Sequence, residues 1–479
     1  MILNNVINYR VNVILLFLLL RTNFSSMKQY CFYTFLLIVL ASCGRTKKTT
    51  DYSFLYEEED SLQVAIDSLE IKENSVTEII YNHHIYQNQI HTVLLHPYGF
   101  ELGEPVLDLH KTDSLLLSFD ELDSEYKNYY YTLIHCNADW TPSDLLESEY
   151  LEGFTEEPIY TYESSFNTIQ SYIHYESIIP GENMKPTLSG NYLLIVFEEG
   201  EREKPVLSKR MMIVDKKVRI EAEVKRATLL DQRNYQHEVD FKVLYTDYEI
   251  TNPFGDIYPV ITQNNRWDNA IEGLPPIFVK NNELVYDFEE ENLFDGGNEY
   301  RFFDSKSMRY FSERIKNIAF DNDTNKIRLY TDKKRSFQRY SNLWQDINGK
   351  RLIQVQEGAH NGTEADYALT HFSLPFEHEI THGNLYVFGQ ISDYGFPNSH
   401  RMKYNKQTGL YEADIYLKQG YYNYEYVLLK NDGDAISSFI EGTHYETIND
   451  YTIYIYHRPS GEQYDQLIGM KRLSSKGLF

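Results

Sequence analysis

The stretch "SGNYLLIVFEEG", residues 189–200, decides the fold class. Alternate side chains along it form two largely apolar sets: Tyr192, Leu194 and Val196, and Leu193, Ile195 and Phe197. Successive side chains of a β-strand point to opposite faces of the sheet. Because both sets are apolar, the pattern predicts a strand that is covered by protein on both faces.

The rest of the chain has similar strand character. Its 479 residues include 42 Tyr and 26 Phe, and aromatic side chains favour the half-buried surfaces of sheets. Strand-like runs bounded by turn residues occur at "HTVLLHPYG" (91–99), "DSLLLSFDEL" (113–122), "YKNYYYTLIHC" (126–136) and "LSKRMMIVDKKV" (207–218). Short strands at this spacing predict an all-β protein of tandem immunoglobulin-like β-sandwich domains.

A chain of this length exceeds what one hydrophobic core usually organises. We predict a first β-sandwich at 76–216, a second β-domain at 217–360 and a small C-terminal β-sandwich at 361–479. The third domain follows the plan of the small sandwiches that accompany glycan-active enzymes. The strand in "NDYTIYIYHRP" (449–459) is expected to close that third domain.

The N-terminal region predicts a lipoprotein signal. Its apolar runs, 11–20 and 30–43, are shorter than the roughly 18 to 20 residues that a membrane-spanning helix needs. From Met27 onward, a positive residue, an apolar core and small residues precede Cys43, as in a signal peptide. Because "LASC" (40–43) resembles the bacterial lipobox, Cys43 is the predicted lipid anchor.

This interpretation divides the N-terminal region into two parts. Residues 1–42 form the signal region, with the true start at Met27, and residues 43–75 form the lipid anchor and a flexible tether. The alternative is a plain secretory signal in which Cys43 is incidental.

The charge of the chain argues against nucleic acid as a partner. The formal net charge is -26, and the sequence contains no long basic stripe. A surface this acidic repels a phosphate backbone. We therefore expect no nucleic-acid partner.

The stretch "HCNADWTPSDL" (135–145) has the residue types of a thiol hydrolase. Catalysis would need the Cys136 thiolate within hydrogen-bond reach of an imidazole, but His135 and Cys136 are strand neighbours that point to opposite faces. A buried strand end followed by a turn explains the stretch better, with Asn137 or Asp139 bonding the backbone and Trp140 in a core. We expect no catalytic residue.

Metal and cofactor motifs are weak throughout. His83 and His84 are adjacent, and the chain has no C-x-x-C spacing. "DNDTN" (321–325) fits a hairpin turn better than a calcium loop. We expect neither a bound metal nor a cofactor.

A row of tyrosines in the third domain leaves an alternative open. In "YYNYEYVLL" (421–429), Tyr422, Tyr424 and Tyr426 fall on one face of a predicted strand. They form either a platform on which sugars stack or part of the sandwich core. The first possibility makes the protein a glycan-binding outer-membrane lipoprotein.

Several long stretches, taken in order, resemble the Plug protein family of the type IX secretion system of Bacteroidetes. They are "YTLIHCNADWTPSDLLESEYLEGF" (131–154), "SFNTIQSYIHYESIIP" (165–180), "SGNYLLIVF" (189–197), "NPFGDIYPVITQNNRWDNAI" (252–271), "FDGGNEYRFFD" (294–304), "DINGKRL" (346–352) and "LKQGYYNYEYVL" (417–428). The motif residues that we single out as structural or interface positions are His135, Cys136, Asn137, Asp139, Trp140, Asn264, Trp267, Gly296, Gly297, Asn298, Gln419, Gly420 and Tyr421.

The resemblance implies a non-enzymatic role. Proteins of this family cover the periplasmic mouth of the giant outer-membrane translocon barrel of the type IX secretion system and seal it while no substrate is in transit. The expected partner is that barrel. The expected location is the periplasm, with the Cys43 anchor holding the chain to the inner leaflet of the outer membrane.

Overall fold

The structure, a computed structural model, describes residues 78–476 except residues 124, 322 and 342–344. The signal region, Cys43 and the tether lie outside the described residues. Across the described part, β-strands dominate, and the three α-helices have four residues each: α1 (Glu147–Tyr150), α2 (Asn361–Glu364) and α3 (Ser438–Glu441). None of the described helices is long and apolar enough to cross a membrane. The prediction of an all-β protein is confirmed.

The first sandwich uses the N-terminal part of the described chain. Its strands are β1 (His84–Ile85), β2 (Ile90–Pro97), β3 (Val106–Asp108), β4 (Leu115–Glu121), β5 (Tyr129–Cys136), β6 (Leu151–Gly153), β7 (Glu157–Pro158), β8 (Thr161–Ser164), β9 (Ile173–Ile179), β10 (Met184–Pro186), β11 (Gly190–Glu198) and β12 (Pro205–Val214). One sheet has the order β1-β12-β11-β5-β7, with β3 also on β12, and the other has the order β2-β4-β9-β8. Apolar side chains from both sheets, such as Phe119 and Leu194, share one buried core.

The second sandwich begins with seven strands. They are β13 (Arg219–Arg226), β14 (Gln236–Leu244), β15 (Ile257–Gln263), β16 (Arg266–Glu272), β17 (Phe278–Lys280), β18 (Glu283–Tyr286) and β19 (Leu293–Asp295). Strands β13, β14, β18, β17 and β19 form one sheet, while β15 and β16 begin the other.

The third sandwich follows before the second is complete. Its strands are β20 (Arg301–Asp304), β21 (Ile315–Asp321), β22 (Thr324–Leu329), β23 (Arg351–Ile353), β24 (Tyr367–Pro375), β25 (Gly383–Phe388), β26 (Lys403–Asn405), β27 (Leu410–Lys418), β28 (Gly420–Lys430) and β29 (Ala435–Ile436). One sheet is arranged around β28, and the other has the order β21-β22-β24-β27-β26. In the predicted hairpin at 321–325, Asp321 is paired with Thr324.

Two last strands, β30 (Asp450–His457) and β31 (Gln466–Ser474), return to the second sandwich. Strand β30 pairs with β15 along its whole length, from Ile257 opposite His457 to Gln263 opposite Tyr451. The prediction that residues 449–459 close the third domain is therefore wrong, and strands β20 to β23 belong to the third sandwich although they precede residue 361. The third sandwich is an insertion between β19 and β30 of the second.

Strand β11 has the two covered faces that the sequence predicted. Leu194 and its alternate neighbours lie in the core of the first sandwich. Leu193, Ile195 and Phe197 lie in a separate core that β15, β30 and β31 complete from the second sandwich. We call this second cluster the junction core. The residues of both cores belong to one compact unit of the structure.

Candidate functional site

The "HCNADW" motif ends strand β5 at the junction core. The His135 ring packs against Tyr192 on the side of the first sandwich, whereas Cys136 lies in the junction core. Burial lowers the pKa of His135 to about 4 and raises the pKa of the Cys136 thiol to about 12. A buried thiol with a raised pKa is a poor nucleophile, and the two side chains lie on opposite faces. The motif does not have the geometry of a thiol active site.

The turn after β5 places Trp140 between two sandwiches. Trp140 is 4% exposed and has a φ of 66°, a left-handed conformation that non-glycine residues seldom adopt. Its indole meets the Trp267 ring edge to face at 5.2 Å between centroids, and the Arg210 guanidinium lies 4.3 Å from the Trp140 ring centroid. Trp140 therefore joins the first sandwich to the second and is not available to an outside partner.

The two polar residues of the same motif hold the turn. Asp139 is exposed, and its Oδ1 accepts a hydrogen bond from the Thr141 N–H at 2.9 Å. Asn137 is partly buried, and its Oδ1 accepts one from Arg458 Nη2 of the second sandwich at 2.9 Å. Both side chains are used within the protein.

A second group of motif residues lies where the chain enters and leaves the third sandwich. Asn449 Nδ2 donates to the Gly296 carbonyl at 2.8 Å, and Asn264 Nδ2 donates to Asn449 Oδ1 at 2.7 Å. The Gly297 N–H donates to Thr443 Oγ1 at 3.0 Å, and Asn298 Nδ2 donates to the Glu441 carbonyl at 2.9 Å. These bonds tie the entering segment to the returning one.

The third group, Gln419 to Tyr421, makes the corner between the two sheets of the third sandwich. Gln419 is the single residue between β27 and β28, and its Oε1 accepts the Asp366 N–H at 2.9 Å. A Cβ on Gly420 would lie 2.4 Å from the Leu352 carbonyl, so only glycine fits the corner. The Tyr421 ring stacks on Phe302 with centroids 5.6 Å apart.

The structure thus brings Trp140 to Trp267, and Asn264 to Gly296 through Asn449. The Gln419 corner is separate from both groups. All three groups hold strands or sandwiches together. No two of the groups form a shared cavity lined by chemically reactive side chains in the described part of the chain.

The sequence reasoning missed a buried polar network between the first and third sandwiches. Asp120 of β4 and Lys418 of β27 are both 1% exposed, and the Lys418 ammonium lies 2.6 Å from Asp120 Oδ2. Tyr367 donates its hydroxyl to the same Oδ2 at 2.5 Å, and His174 Nδ1 lies 2.6 Å from Oδ1. In the sequence, this network is indicated by Asp120, a charged residue in the largely apolar stretch "DSLLLSFDEL".

The charges of this network stabilise one another. Burial would raise the pKa of Asp120, but the Lys418 ammonium and His174 outweigh it and hold that pKa below its usual range. Burial would lower the pKa of His174, but hydrogen bonds to Asp120 and Glu176 outweigh that and raise it. The carboxylate therefore stays ionised, and the network joins the two sandwiches through charge.

One acidic group has donor atoms close enough to suggest a metal. The carboxylates of Glu238, Asp240 and Asp287 lie together in the second sandwich. However, the Lys225 ammonium lies 2.9 Å from Glu238 and 2.5 Å from Asp240. Because a lysine already supplies the positive charge, these residues do not fit a metal site.

The tyrosines of β28 lie in the core of the third sandwich. Tyr422 is 1% exposed, and Tyr424 and Tyr426 are fully buried. The hydroxyls of Tyr424 and Tyr426 both donate to Asp332 Oδ2, at 2.7 and 2.8 Å. They are therefore unavailable as a platform for stacking sugars, which leaves the core interpretation of the two alternatives.

Comparisons with known proteins agree with the resemblance seen in the sequence. Residues 90–215 match the family model of the first domain of type 9 secretion system plug proteins. A crystal structure of a hypothetical protein from Parabacteroides merdae is similar to the chain, with a TM-score of 0.80 and 32% sequence identity. That similarity covers 83% of this chain and 100% of the other. No curated protein matches the chain.

Proposed function

This chain belongs to the plug family of the type IX secretion system, and from that premise we propose that it seals the outer-membrane translocon barrel. The seal would cover the periplasmic mouth of the barrel while no substrate is in transit. The match of residues 90–215 to the first plug domain is the observation that carries this proposal.

The way in which the sandwiches are joined supports a sealing role. Domains linked only by single peptides move relative to one another by default. Here the first two sandwiches share the junction core, and the third is connected to the second by two chain segments. A body held in this way can occlude a wide channel by shape alone, without chemistry.

The same proposal includes location and attachment. The plug family places the chain in the cell envelope, and we propose that Cys43 anchors it to the inner leaflet of the outer membrane. An anchored protein has a high effective concentration near a barrel in the same membrane. A polar, reversible interface of modest affinity would then suffice, which suits a plug that must come off.

We also propose that the protein is not an enzyme. The plug family is a family of secretion-system proteins and not of enzymes. The buried, unreactive Cys136 supports the same conclusion. Loss of a measured hydrolase activity in a Cys136→Ala variant would contradict it.

Recovery of the translocon with the tagged protein tests the proposal. The full chain, with a C-terminal affinity tag, is purified from outer membranes in mild detergent, and the giant barrel is expected to copurify. A Cys43→Ser variant, matched for expression, should recover less barrel because it loses the anchor and not the docking surface.

Permeability provides the second measurement. Deleting the gene should make cells sensitive to large antibiotics that the outer membrane normally excludes, and the wild-type gene should restore resistance. Unchanged permeability, together with repeated failure to recover the barrel, would overturn the sealing role.

A further inference from the structure

One flank of the first sandwich ends in an uncovered strand. The two main sheets end at β7 and at β8, which follow each other in the chain. All four residues of β8, Thr161–Ser164, are exposed, and β9 is the one strand paired with it among the described residues. An edge of this kind presents backbone groups to any extended chain that can pair with them.

The register of β8 shows which backbone groups are free. The Ser165 N–H donates to the Tyr172 carbonyl at 2.8 Å, and Glu163 is opposite His174. Hydrogen-bonded and non-bonded pairs alternate along an antiparallel ladder. The N–H groups of Tyr162 and Ser164 therefore point away from β9, and no described segment bonds them.

Exposed aromatic side chains are frequent in the part of the chain that contains this edge. Over residues 126–166 they are Tyr160 (81% exposed), Phe166 (71%), Phe154 (60%), Tyr126 (50%) and Tyr162 (44%). The rings of Tyr126 and Tyr162 lie 4.2 Å apart between centroids. Large exposed apolar groups clustered on a soluble protein mark an interaction site.

The same part of the chain is strongly acidic. Residues 128–184 contain no Lys or Arg. Their acidic residues are Asp139, Asp144, Glu147, Glu149, Glu152, Glu156, Glu157, Glu163, Glu176 and Glu182. Arg202, from outside this segment, pairs with Glu147 and Glu156, and His174 pairs with Glu176. Glu163 has no such counter-charge among the described residues.

A groove beside the edge would accept a basic side chain. It has a volume of about 370 Å³ and lies between β8, β9 and residues 359–363. Glu163 and Glu176 both line it, next to His174. The hydrogen bond from His174 keeps the pKa of Glu176 below its usual value, so that carboxylate is ionised at neutral pH.

We propose that the outer edge of β8 binds an extended polypeptide segment that carries Lys or Arg. The segment pairs with the free groups of Tyr162 and Ser164 as an added strand, and a basic side chain enters the groove toward Glu163 and Glu176. Main-chain pairing supplies affinity in this mode, and the pocket supplies specificity. The aromatic rings add cation–π contacts to the same basic side chains.

Natural proteins usually protect an edge strand with lysine or a bulge. Strand β8, with the sequence "TYES", has no lysine, and its pairing with β9 shows no register shift. The edge is left open where charge and aromatic groups already favour a basic partner. The proposal that the basic segment belongs to the translocon rests on the function proposed above. The proposal that the edge binds a basic segment rests only on the chemistry of the edge.

Peptide binding to the full-length protein in mild detergent tests the site. The probe is a fluorescein-labelled ten-residue peptide of alternating Arg and Val, and the control probe has Glu in place of Arg. Fluorescence anisotropy should show binding of the Arg peptide at least about tenfold tighter than that of the Glu peptide. Equal binding of the two would overturn the proposal.

Proline at position 164 separates edge pairing from simple charge attraction. Ser164→Pro removes an outward N–H and leaves the bonds of β8 to β9 in place, so Arg-peptide binding should fall about tenfold. Ser164→Ala keeps the N–H and should bind as the wild type does. Hydrogen exchange of the Tyr162 and Ser164 amides should slow when the peptide is added, and unchanged exchange would contradict strand addition.

A second variant tests the pocket even if the proline variant does not fold. Glu163 is exposed, and Glu163→Lys should weaken the Arg peptide about tenfold without changing the thermal midpoint. Unchanged binding in this variant would overturn the role of the groove. Barrel recovery is measured in parallel. If the wild type binds the Arg peptide but does not recover the barrel, the translocon is not the partner of this edge. If the Ser164→Pro variant recovers as much barrel as the wild type does, sealing does not use this edge.

Discussion

Removing the Lys418 ammonium should be among the most destabilising single changes outside the apolar cores. Lys418 Nζ lies 2.6 Å from Asp120 Oδ2 and donates to the Gly362 carbonyl at 2.6 Å. Lys418→Met keeps the length of the side chain and removes the charge. Breaking a buried ion pair from one side costs about 3–5 kcal/mol, because the remaining charge stays buried. Tyr367 and His174 still contact Asp120, so we expect a loss near the lower end, about 3 kcal/mol.

The free energy of unfolding in urea is the measurement, with Asp120→Asn and the double variant completing a mutant cycle. The double variant removes both charges, so it should lose less than the sum of the single variants. Lys185→Met is the matched control because its ion pair with Glu152 is 76% and 70% exposed. Exposed pairs contribute about 0–1 kcal/mol. A Lys418→Met loss no larger than that of Lys185→Met, or strict additivity in the cycle, would refute the reasoning.

The pH dependence of this network has a definite sign. Because the pKa of Asp120 is held low in the folded protein, its contribution is present above the unfolded pKa of about 3.9 and is lost as the pH falls through the folded value. The pKa of His174 is raised, so its contribution is present below about pH 6.5 and is lost as the pH rises through the folded value. Wild-type stability relative to His174→Gln should therefore decrease above pH 6.5.

Three further changes test other parts of the structure. In the native state, a maleimide should label the wild type no more than it labels the Cys136→Ser variant, because the Cys136 thiol is fully buried. In denaturant, it should label the wild type by about one equivalent more than the variant. Gly296→Ala should cost more stability than Gly297→Ala. A Cβ at position 296 would lie 2.1 Å from the His444 carbonyl oxygen. A Cβ at position 297 would meet open space, so the alanine there bears only the roughly 1–2 kcal/mol cost of a left-handed φ of 65°. Trp140→Ala should lower the free energy of unfolding by about 3–5 kcal/mol, which urea unfolding would measure, and a loss under about 1 kcal/mol would contradict its place in the junction core.

The strand class and the faces of individual strands could be predicted because they depend on local alternation. Leu193 and Leu194 illustrate this: the period of two assigned them to opposite faces, and the structure places them in two different cores. The same reasoning placed His135 and Cys136 on opposite faces. It needed no knowledge of which strands would pair.

The nesting of the sandwiches could not be predicted, because it depends on pairing between distant strands. Strand β30 pairs with β15 across the whole inserted sandwich, and nothing in the alternation of "DYTIYIYH" distinguishes β15 from a nearer partner. The Asp120 and Lys418 pair has the same difficulty, since its two residues are 298 positions apart. A charged residue in an apolar strand predicts that some partner exists and does not identify it.

The nesting has a mechanical consequence that a linear series of sandwiches would lack. A domain joined by one linker can rotate about that linker, but an inserted domain is joined by two. Here the two connecting segments are also bonded to each other, since Asn449 donates to the Gly296 carbonyl and Thr447 Oγ1 donates to the Gly297 carbonyl at 2.9 Å. Rotation of the third sandwich would have to break these bonds and the buried Asp120 network together. These contacts hold the third sandwich against the first and second, which supports the sealing role proposed above.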